Sequence, residues 1–289
     1  MPTVKSSMQG KICMVTGANS GIGKATALAL AQMGATVVMV CRDRARGEQA
    51  RSEITTKSRN NAVDLLQADL SSQQSIRQLV EHFQHHYTHL HVLINNAGAA
   101  FPGRRRETVD GVEMTFAVNY LAPFLLTNLL LDVLKASAPA RIVNVSSATQ
   151  EAGYIKLDDL QAEHHYRPMR AYEQSKLAVV LFTYELARRL QGTGVTANCL
   201  HPGFVATNIA QRGMGLASRI VTRLIFSFGI SPQEGAKTSL YLASSPEAEG
   251  VTGKYFVKGI PQRSTPISYD ESLQRQLWEE SLKLVNLLS

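Results

Sequence analysis

The fold is decided at residues 16–23, which read Thr16-Gly17-Ala18-Asn19-Ser20-Gly21-Ile22-Gly23. They follow an apolar run at 12–15 and precede a small-residue, apolar helix closed by Gly34. Glycines permit a tight turn and let the backbone approach a bound group closely. The N-terminus of the helix adds free N–H groups and a partial positive charge, which favour an anion such as a pyrophosphate. This stretch therefore predicts a strand, a phosphate-binding turn and a helix.

Strand and helix candidates alternate along the rest of the chain. Strand candidates lie at 36–40, 63–66, 92–94, 142–145 and 195–200. Of these, 36–40 is a continuous β-branched run, typical of a strand covered on both faces. Between the strand candidates lie helical stretches near 71–86, 111–135 and 171–190. This alternation predicts an α/β fold, a Rossmann-type doubly wound parallel sheet with helices on both faces. Since no linker-like stretch divides the 289 residues, a single domain over 1–289 is expected.

Composition restricts the class of protein. No stretch is long and apolar enough for a signal peptide or a membrane-spanning helix. The three cysteines (Cys13, Cys41, Cys199) lie in or beside strand runs, so buried free thiols in a reducing, cytoplasmic-type compartment are expected. The net charge is +7, but the one basic cluster, 104–106, lacks aromatic neighbours. It predicts a solvated loop and argues against nucleic-acid binding. The histidines show no metal-ligand pattern, so no metal site is expected.

The glycine spacing is G-x-x-x-G-x-G, and it is one of several motifs by which nearly the whole chain resembles the short-chain dehydrogenase/reductase family. The other motifs are Asp69-Leu70, Asn95-Asn96-Ala97-Gly98, Asn119, Ser146-Ser147, Tyr172-x-x-x-Lys176 and Pro202-Gly203. The resemblance implies hydride transfer between a nicotinamide cofactor and an alcohol or carbonyl. It also implies that Asp69 bonds the adenine ring. The cofactor-binding residues that it implies are Gly17, Asn19, Ser20, Gly21, Ile22, Gly23, Arg42, Asp69, Leu70, Asn96, Ala97, Gly98, Tyr172, Lys176, Pro202, Gly203, Val205 and Thr207.

The end of the second strand bears on which nicotinamide cofactor is bound. A carboxylate there would bond the ribose hydroxyls of NAD and repel the 2′-phosphate of NADP. In this chain the position is Cys41, followed by Arg42 and Arg44, whose guanidinium groups fit a phosphate. The opposing candidate is Asp43, which we interpret as the N-cap of the next helix. NADP(H) is therefore the expected cofactor.

Four residues resemble the family's catalytic set. Tyr172 and Lys176 stand four apart in a helical stretch and so project from one face. By the resemblance, Tyr172 is the proton donor and acceptor, and the Lys176 ammonium is expected to lower the pKa of its phenol. Ser147, preferred over Ser146, is expected to orient the substrate oxygen. Asn119 is similar to the fourth member, which holds a water beside the lysine; alternatively it is a polar residue that bends its helix.

Residues 208–230 bear on the substrate. The segment is apolar with interleaved arginines, and in the family it closes over the substrate, so a lipophilic substrate is expected. The same pattern fits an amphipathic helix on an anionic membrane surface, or a helix that packs on the core. Residues 41–43, 200–203 and 277–281 most resemble the retinol dehydrogenase branch, which implies retinaldehyde or other lipophilic aldehydes and NADPH. That branch commonly has Asn-His-Leu where this chain has Asn119-Tyr120-Leu121.

Two classes of function are consistent with the glycine turn, an enzyme and a non-catalytic cofactor-binding protein. A non-catalytic NADP(H)-binding sensor or scaffold would keep the glycine turn and could lose the tyrosine and lysine, whereas this chain has both and favours an enzyme. The expected partner is a small lipophilic alcohol or carbonyl, with no nucleic acid. A homo-oligomer is also expected, because family members commonly dimerise through the long helices that correspond to 111–135 and 172–190. The expected location is cytoplasmic, with peripheral membrane contact possible through residues 208–230.

Overall fold

The computed structural model describes residues 7–203 and 230–287. All the predicted strands are present, within one sheet of eight described strands: β1 (Ile12–Thr16), β2 (Thr36–Cys41), β3 (Val63–Gln67), β4 (Val92–Asn95), β5 (Ala140–Val145), β6 (Val195–His201), β7 (Tyr255–Val257) and β8 (Ile260–Gln262). Their order is β3-β2-β1-β4-β5-β6-β7-β8. Every neighbouring pair is parallel except β7 and β8. The predicted doubly wound parallel sheet is confirmed.

Helices connect the strands and cover the sheet. They are α1 (Gly21–Gln32), α2 (Arg44–Ser58), α3 (Gln73–His86), α4 (Met114–Phe116), α5 (Ala122–Leu129), α6 (Leu131–Ala136), α7 (Pro168–Arg189), α8 (Pro232–Ser244) and α9 (Glu271–Leu284). Alternate strand residues enter two cores. Met14 and Leu93 pack under α3, α5, α7 and α9, whereas Cys13 and Val92 pack under α1, α2 and α8. None of the helices in the two described ranges is long and apolar enough to cross a bilayer.

The helix predicted over 111–135 is interrupted in the structure. α4 leads into a π-helical turn, Ala117–Leu121, and only then do α5 and α6 follow. Leu130, with φ −98° and ψ 1°, separates these last two helices. A π turn inserts an extra residue into the helix and bends it, often at a functional site. Apolar periodicity does not reveal such an insertion, so the prediction of one continuous helix was wrong.

The sheet has its topological switch between β1 and β4, where open α/β sheets bind ligands. Thr16, the last residue of β1, joins the two strands there. Its hydroxyl donates to the carbonyl oxygen of Ile94 and accepts the N–H groups of Asn96 and Ala97, each at 3.0 Å. The glycine turn after β1 and the segment after β4 are therefore held side by side.

Helix α7 is covered on every side within one chain. All residues from 174 to 187 are buried. Trp278 of α9 stacks on Phe182 of α7, with ring centroids 5.8 Å apart, and meets Phe124 of α5 edge-on at 4.9 Å. The chain's own helix α9 thus covers the face where α5 meets α7.

Candidate active site

The turn between β1 and α1 is shaped by three glycines. Gly17 and Gly21 have φ values of +68° and +55°, in the left-handed region that favours glycine. A Cβ at Gly23 would lie 2.4 Å from the Gly17 carbonyl oxygen and 2.5 Å from Asn96 Nδ2, so only glycine fits there. Ser20, the N-cap of α1, makes no side-chain cap bond. The N–H groups of the first turn of α1 are therefore available to an anion, and these residues fit a pyrophosphate.

Three further predicted cofactor residues, Asn19, Ile22 and Leu70, lie in different surroundings. Ile22 is buried against Ala236 of α8, so its side chain anchors α1. Asn19 is half-buried in the turn itself. Leu70 is half-buried and packs against the core on the α3 side. Among the three, Asn19 is the one placed within the turn.

The end of β2 presents a guanidinium group. The Arg42 side chain is 58% exposed, and its Nη1 lies 3.8 Å from Asp69 Oδ2. The other carboxylate oxygen of Asp69 accepts bonds from the N–H and hydroxyl groups of Ser71. Asp43 accepts the N–H of Arg46 at 3.0 Å, which confirms it as the N-cap of α2. The carboxylate of Asp43 is therefore engaged by α2, whereas Arg42 stays accessible.

The residues after β4 pack against the glycine turn. Asn96 Nδ2 donates to the Thr16 carbonyl oxygen at 2.8 Å. A Cβ at Gly17 would lie 3.1 Å from Ala97 Cα, and one at Gly98 would lie 3.2 Å from Lys176 Nζ. Residues 96–98 therefore extend from the glycine turn to the lysine of α7.

Three of the predicted catalytic side chains meet where β5 ends and α7 begins. The Ser147 side chain lies beside the Tyr172 phenol, near enough to lower its pKa. Lys176 Nζ lies 5.7 Å from the centre of the Tyr172 ring and donates to the Val145 carbonyl oxygen at 3.1 Å. Neighbouring Ser146 is instead buried, and its hydroxyl donates to the Lys176 carbonyl oxygen. Of the two adjacent serines, Ser147 is the one that reaches the tyrosine.

The pKa of Tyr172 differs in direction from the expectation. Burial raises it above the ordinary phenol value, and the hydrogen bond from Ser147 opposes this rise. Lys176 is itself buried, which lowers its pKa to about 8, and its Nζ is bonded to the backbone rather than to the phenol. Desolvation of the phenolate therefore outweighs the nearby ammonium. Tyr172 stays protonated at neutral pH, the form that can donate a proton.

Asn119, the fourth predicted catalytic residue, lies in the π turn. Its Oδ1 accepts the Ala99 N–H at 2.8 Å, and its Nδ2 donates to the Ala99 carbonyl oxygen and to Ser175 Oγ. A Cβ at Gly98 would lie 3.3 Å from Asn119 Oδ1, on the same side as Lys176 Nζ. The amide thus fixes the segment after β4 next to the lysine, a role that the sequence does not reveal.

Tyr120 stands where the retinol dehydrogenase branch commonly has histidine, and its side chain points away from the site. Its side chain is completely buried, and its hydroxyl lies 2.6 Å from Ser281 Oγ of α9. Ser281 donates in turn to the Leu277 carbonyl oxygen. Tyr120 therefore attaches α9 to the π turn.

The segment after β6 is described only in part. Pro202 and Gly203 follow the strand, and Gly203 has φ +88° and packs against Ile230. The predicted cofactor residues Val205 and Thr207, and the predicted lid apart from Ile230, lie outside the described residues.

The three arginines of the basic cluster at 104–106 differ in their exposure to solvent. Arg104 and Arg106 are exposed, as a solvated loop predicts. Arg105 is half-buried, pairs with Glu107 and donates from Nε to the Gln161 carbonyl oxygen at 2.9 Å. The expectation of a solvated loop is therefore wrong for Arg105, because this side chain joins the loop after β4 to the loop before α7.

Comparison with known proteins agrees with this geometry. The family model described as short chain dehydrogenase matches residues 11–214. Human retinol dehydrogenase 14 is 46% identical over 296 residues, covering 97% of this chain and 88% of the relative. Human polyprenol dehydrogenase is 43% identical over 287 residues, covering 96% and 86%.

Solved structures give the same result. An uncharacterized protein from Mycobacterium paratuberculosis has a TM-score of 0.79 and 34% identity, covering 97% of this chain and 95% of that one. The Pseudomonas aeruginosa RhlG/NADP active-site complex has a TM-score of 0.68 and 25% identity, covering 89% and 97%. The chain therefore belongs to the short chain dehydrogenase family, whose members are oxidoreductases that use nicotinamide cofactors.

Proposed function

We propose that the protein is a single-domain, NADP(H)-dependent oxidoreductase that interconverts a lipophilic carbonyl and its alcohol. The observation that carries the proposal is the placement of Tyr172 beside Ser147, with Lys176 Nζ 5.7 Å from the Tyr172 ring centre, on the same sheet as the glycine turn. One continuous sheet supports both groups, in keeping with one domain. A non-catalytic sensor or scaffold would not need a tyrosine placed beside a serine and a lysine, as Tyr172 is beside Ser147 and Lys176.

In the reductive direction, the chain's residues supply the proton and position the substrate. When bound, the nicotinamide cofactor supplies the hydride. Tyr172 holds its proton at neutral pH because burial raises its pKa, and it donates that proton to the carbonyl oxygen. Ser147 orients the same oxygen through its hydroxyl. The ammonium of Lys176 favours the phenolate left on Tyr172, and Asn119 holds the neighbouring backbone in place.

The preference for NADP(H) rests on the end of β2. The exposed Arg42 guanidinium suits a 2′-phosphate, while the Asp43 carboxylate is committed to α2. The RhlG structure, which matches over 89% of this chain, is described as an NADP complex. The glycine turn and the first turn of α1 would hold the pyrophosphate, and residues 96–98 would line the adenosine side.

Lipophilic substrates are supported by the relatives and by exposed apolar side chains. Two relatives are named for retinol and polyprenol, both of which are long apolar alcohols. Met169, one turn before Tyr172 on α7, is 61% exposed, and Tyr154 in the preceding loop is 62% exposed. Met169 is on the helix that carries Tyr172, and an apolar side chain there suits an apolar ligand. Retinaldehyde and medium-chain aldehydes are the first candidates.

The test measures NADPH oxidation by its absorbance, with all-trans-retinaldehyde or a medium-chain aldehyde as substrate. Tyr172→Phe should abolish turnover and retain NADPH binding, because it removes only the donated proton. Tyr241→Phe, in α8 outside the site, is the matched control and should retain activity. Turnover in Tyr172→Phe equal to that of the wild type would contradict the proposed role. NADPH binding without turnover of either aldehyde by the wild type would remove the proposed substrates.

A further inference from the structure

His201 is a half-buried, titratable residue that the proposed mechanism does not use. It ends β6 and precedes Pro202, and its Nδ1 accepts the N–H of Gly203 at 3.0 Å. A nitrogen that accepts has a free lone pair, so the ring is neutral and its proton is on Nε2. The bond closes a turn over Pro202, as the side-chain oxygen of Asn or Asp does in an Asx-turn.

We propose that His201 positions the Pro202–Gly203 turn and that its protonation opens this turn, so that the nicotinamide half of the cofactor binds more weakly in acid. The inference rests on the proposed function, in which this turn contacts the nicotinamide by family resemblance. His201 touches neither cofactor nor substrate in this proposal, and it acts through the backbone of Gly203.

The surroundings of the ring keep it neutral at physiological pH. It lies beside Tyr255 of β7, with ring centroids 6.1 Å apart and planes inclined by 28°. Among residues 7–203 and 230–287, the charged groups that act on its pKa are Glu151, from the turn after β5, and Lys258, after β7. Burial lowers the pKa of His201 below its usual value; Glu151 opposes this change and Lys258 adds to it. The net effect favours the neutral imidazole, which is the form that accepts the bond from Gly203.

The sign of the pH effect follows from the hydrogen bond. A protonated Nδ1 carries its own N–H and would face the N–H of Gly203, so that two donors meet and the bond is lost. Because the folded-state pKa of His201 is lowered from its usual value, the neutral form predominates at neutral pH, and the bond is lost only as pH falls through that lowered pKa. Loss of one neutral bond predicts roughly fivefold weaker binding of the nicotinamide half.

The test compares two ligands by titration calorimetry at about pH 7.5 and at the most acidic pH at which circular dichroism shows the protein still folded. NADP⁺ reaches the nicotinamide turn, whereas 2′-phospho-ADP-ribose has the same 2′-phosphate and pyrophosphate and lacks the nicotinamide. The ratio of their dissociation constants therefore removes the titration of the phosphate itself. His201→Asn should keep the turn through Oδ1 and lose the pH dependence, and His201→Asp offers the same acceptor if the first variant does not fold.

His91→Asn is the matched control. His91 Nδ1 likewise accepts a backbone N–H, from Ile12 at 3.1 Å, and burial lowers its pKa as well, but it lies at the amino end of the sheet. We expect the ratio to rise about fivefold in acid for the wild type and His91→Asn and to stay constant for His201→Asn. A constant ratio in the wild type, or a rise that persists in His201→Asn, would overturn the inference. Failure of both ligands to bind at either pH would instead count against the proposed function.

Discussion

Arg42 tests the cofactor preference at the scale of one residue. Its guanidinium is 58% exposed beside Asp69, so Arg42→Ala removes a positive charge without opening the core. We expect NADPH affinity to fall about tenfold, because one charge-assisted contact to phosphate is lost, and NADH affinity to change little. Dissociation constants for both cofactors provide the measurement. Arg51→Ala, which removes a surface partner of Glu48 on α2, is the control. Equal weakening of NADPH and NADH by Arg42→Ala would show that Arg42 does not read the 2′-phosphate.

The catalytic side chains also show what a sequence can and cannot predict at this scale. The spacing of Tyr172 and Lys176 predicts that they share a helix face, because helix geometry is local. The direction of the Tyr172 pKa shift depends on burial by the whole fold, and sequence alone predicted the opposite direction. Likewise, the bonds of Asn119 to Ala99 join residues twenty positions apart and have no local signal.

At the scale of the element, the π turn at Ala117–Leu121 connects the candidate active site to helix α9. Asn119 faces the site, and the next residue, Tyr120, bonds Ser281 of α9 at 2.6 Å. Tyr120→Phe should cost about 1 kcal/mol of unfolding free energy, because Ser281 loses its donor. Since the same turn holds Asn119, we also expect kcat to fall, with KM nearly unchanged.

Tyr184→Phe is the matched control for this prediction. Tyr184 also forms a buried tyrosine–serine bond, with Ser264 at 2.7 Å, but it lies twelve residues beyond Tyr172 on α7. Urea denaturation should show a similar loss of stability for both variants, and steady-state kinetics should show a fall in kcat for Tyr120→Phe alone. Equal kcat values in the two variants would mean that the π turn does not transmit the change to Asn119.

Element boundaries were predictable where the signal is local. The Asp43 N-cap fixes the start of α2, and short stretches rich in apolar and β-branched residues indicate the six parallel strands up to β6. Helices α8 and α9 also begin at side-chain caps, Ser231 and Asp270, which a search for capping residues could have found. In contrast, β7 and β8 have three residues each, too few for a recognisable period, and exist because the sheet edge pairs with them.

At the scale of the whole molecule, α9 covers the face where α5 and α7 meet. The sequence predicts which helices are long and apolar, but not that a distant C-terminal helix covers them. Trp278 lies between Phe124 and Phe182, and the Arg189 guanidinium lies 4.4 Å from its ring centre. Removing the Trp278 side chain should therefore expose the face where α5 and α7 meet.

Trp278→Ala should lower the unfolding free energy by about 3–5 kcal/mol, because it leaves a large cavity between three elements. Trp278→Phe keeps most of the apolar contact and should cost less. Urea denaturation measures the stability, and light scattering measures the mass of each variant. We expect the exposed face to increase self-association of Trp278→Ala relative to Trp278→Phe, since α5 and α7 would present buried aromatic side chains to solvent. A loss below about 1 kcal/mol with unchanged mass would mean that α7 stays covered without the indole, and that α9 is not what keeps this face from a partner.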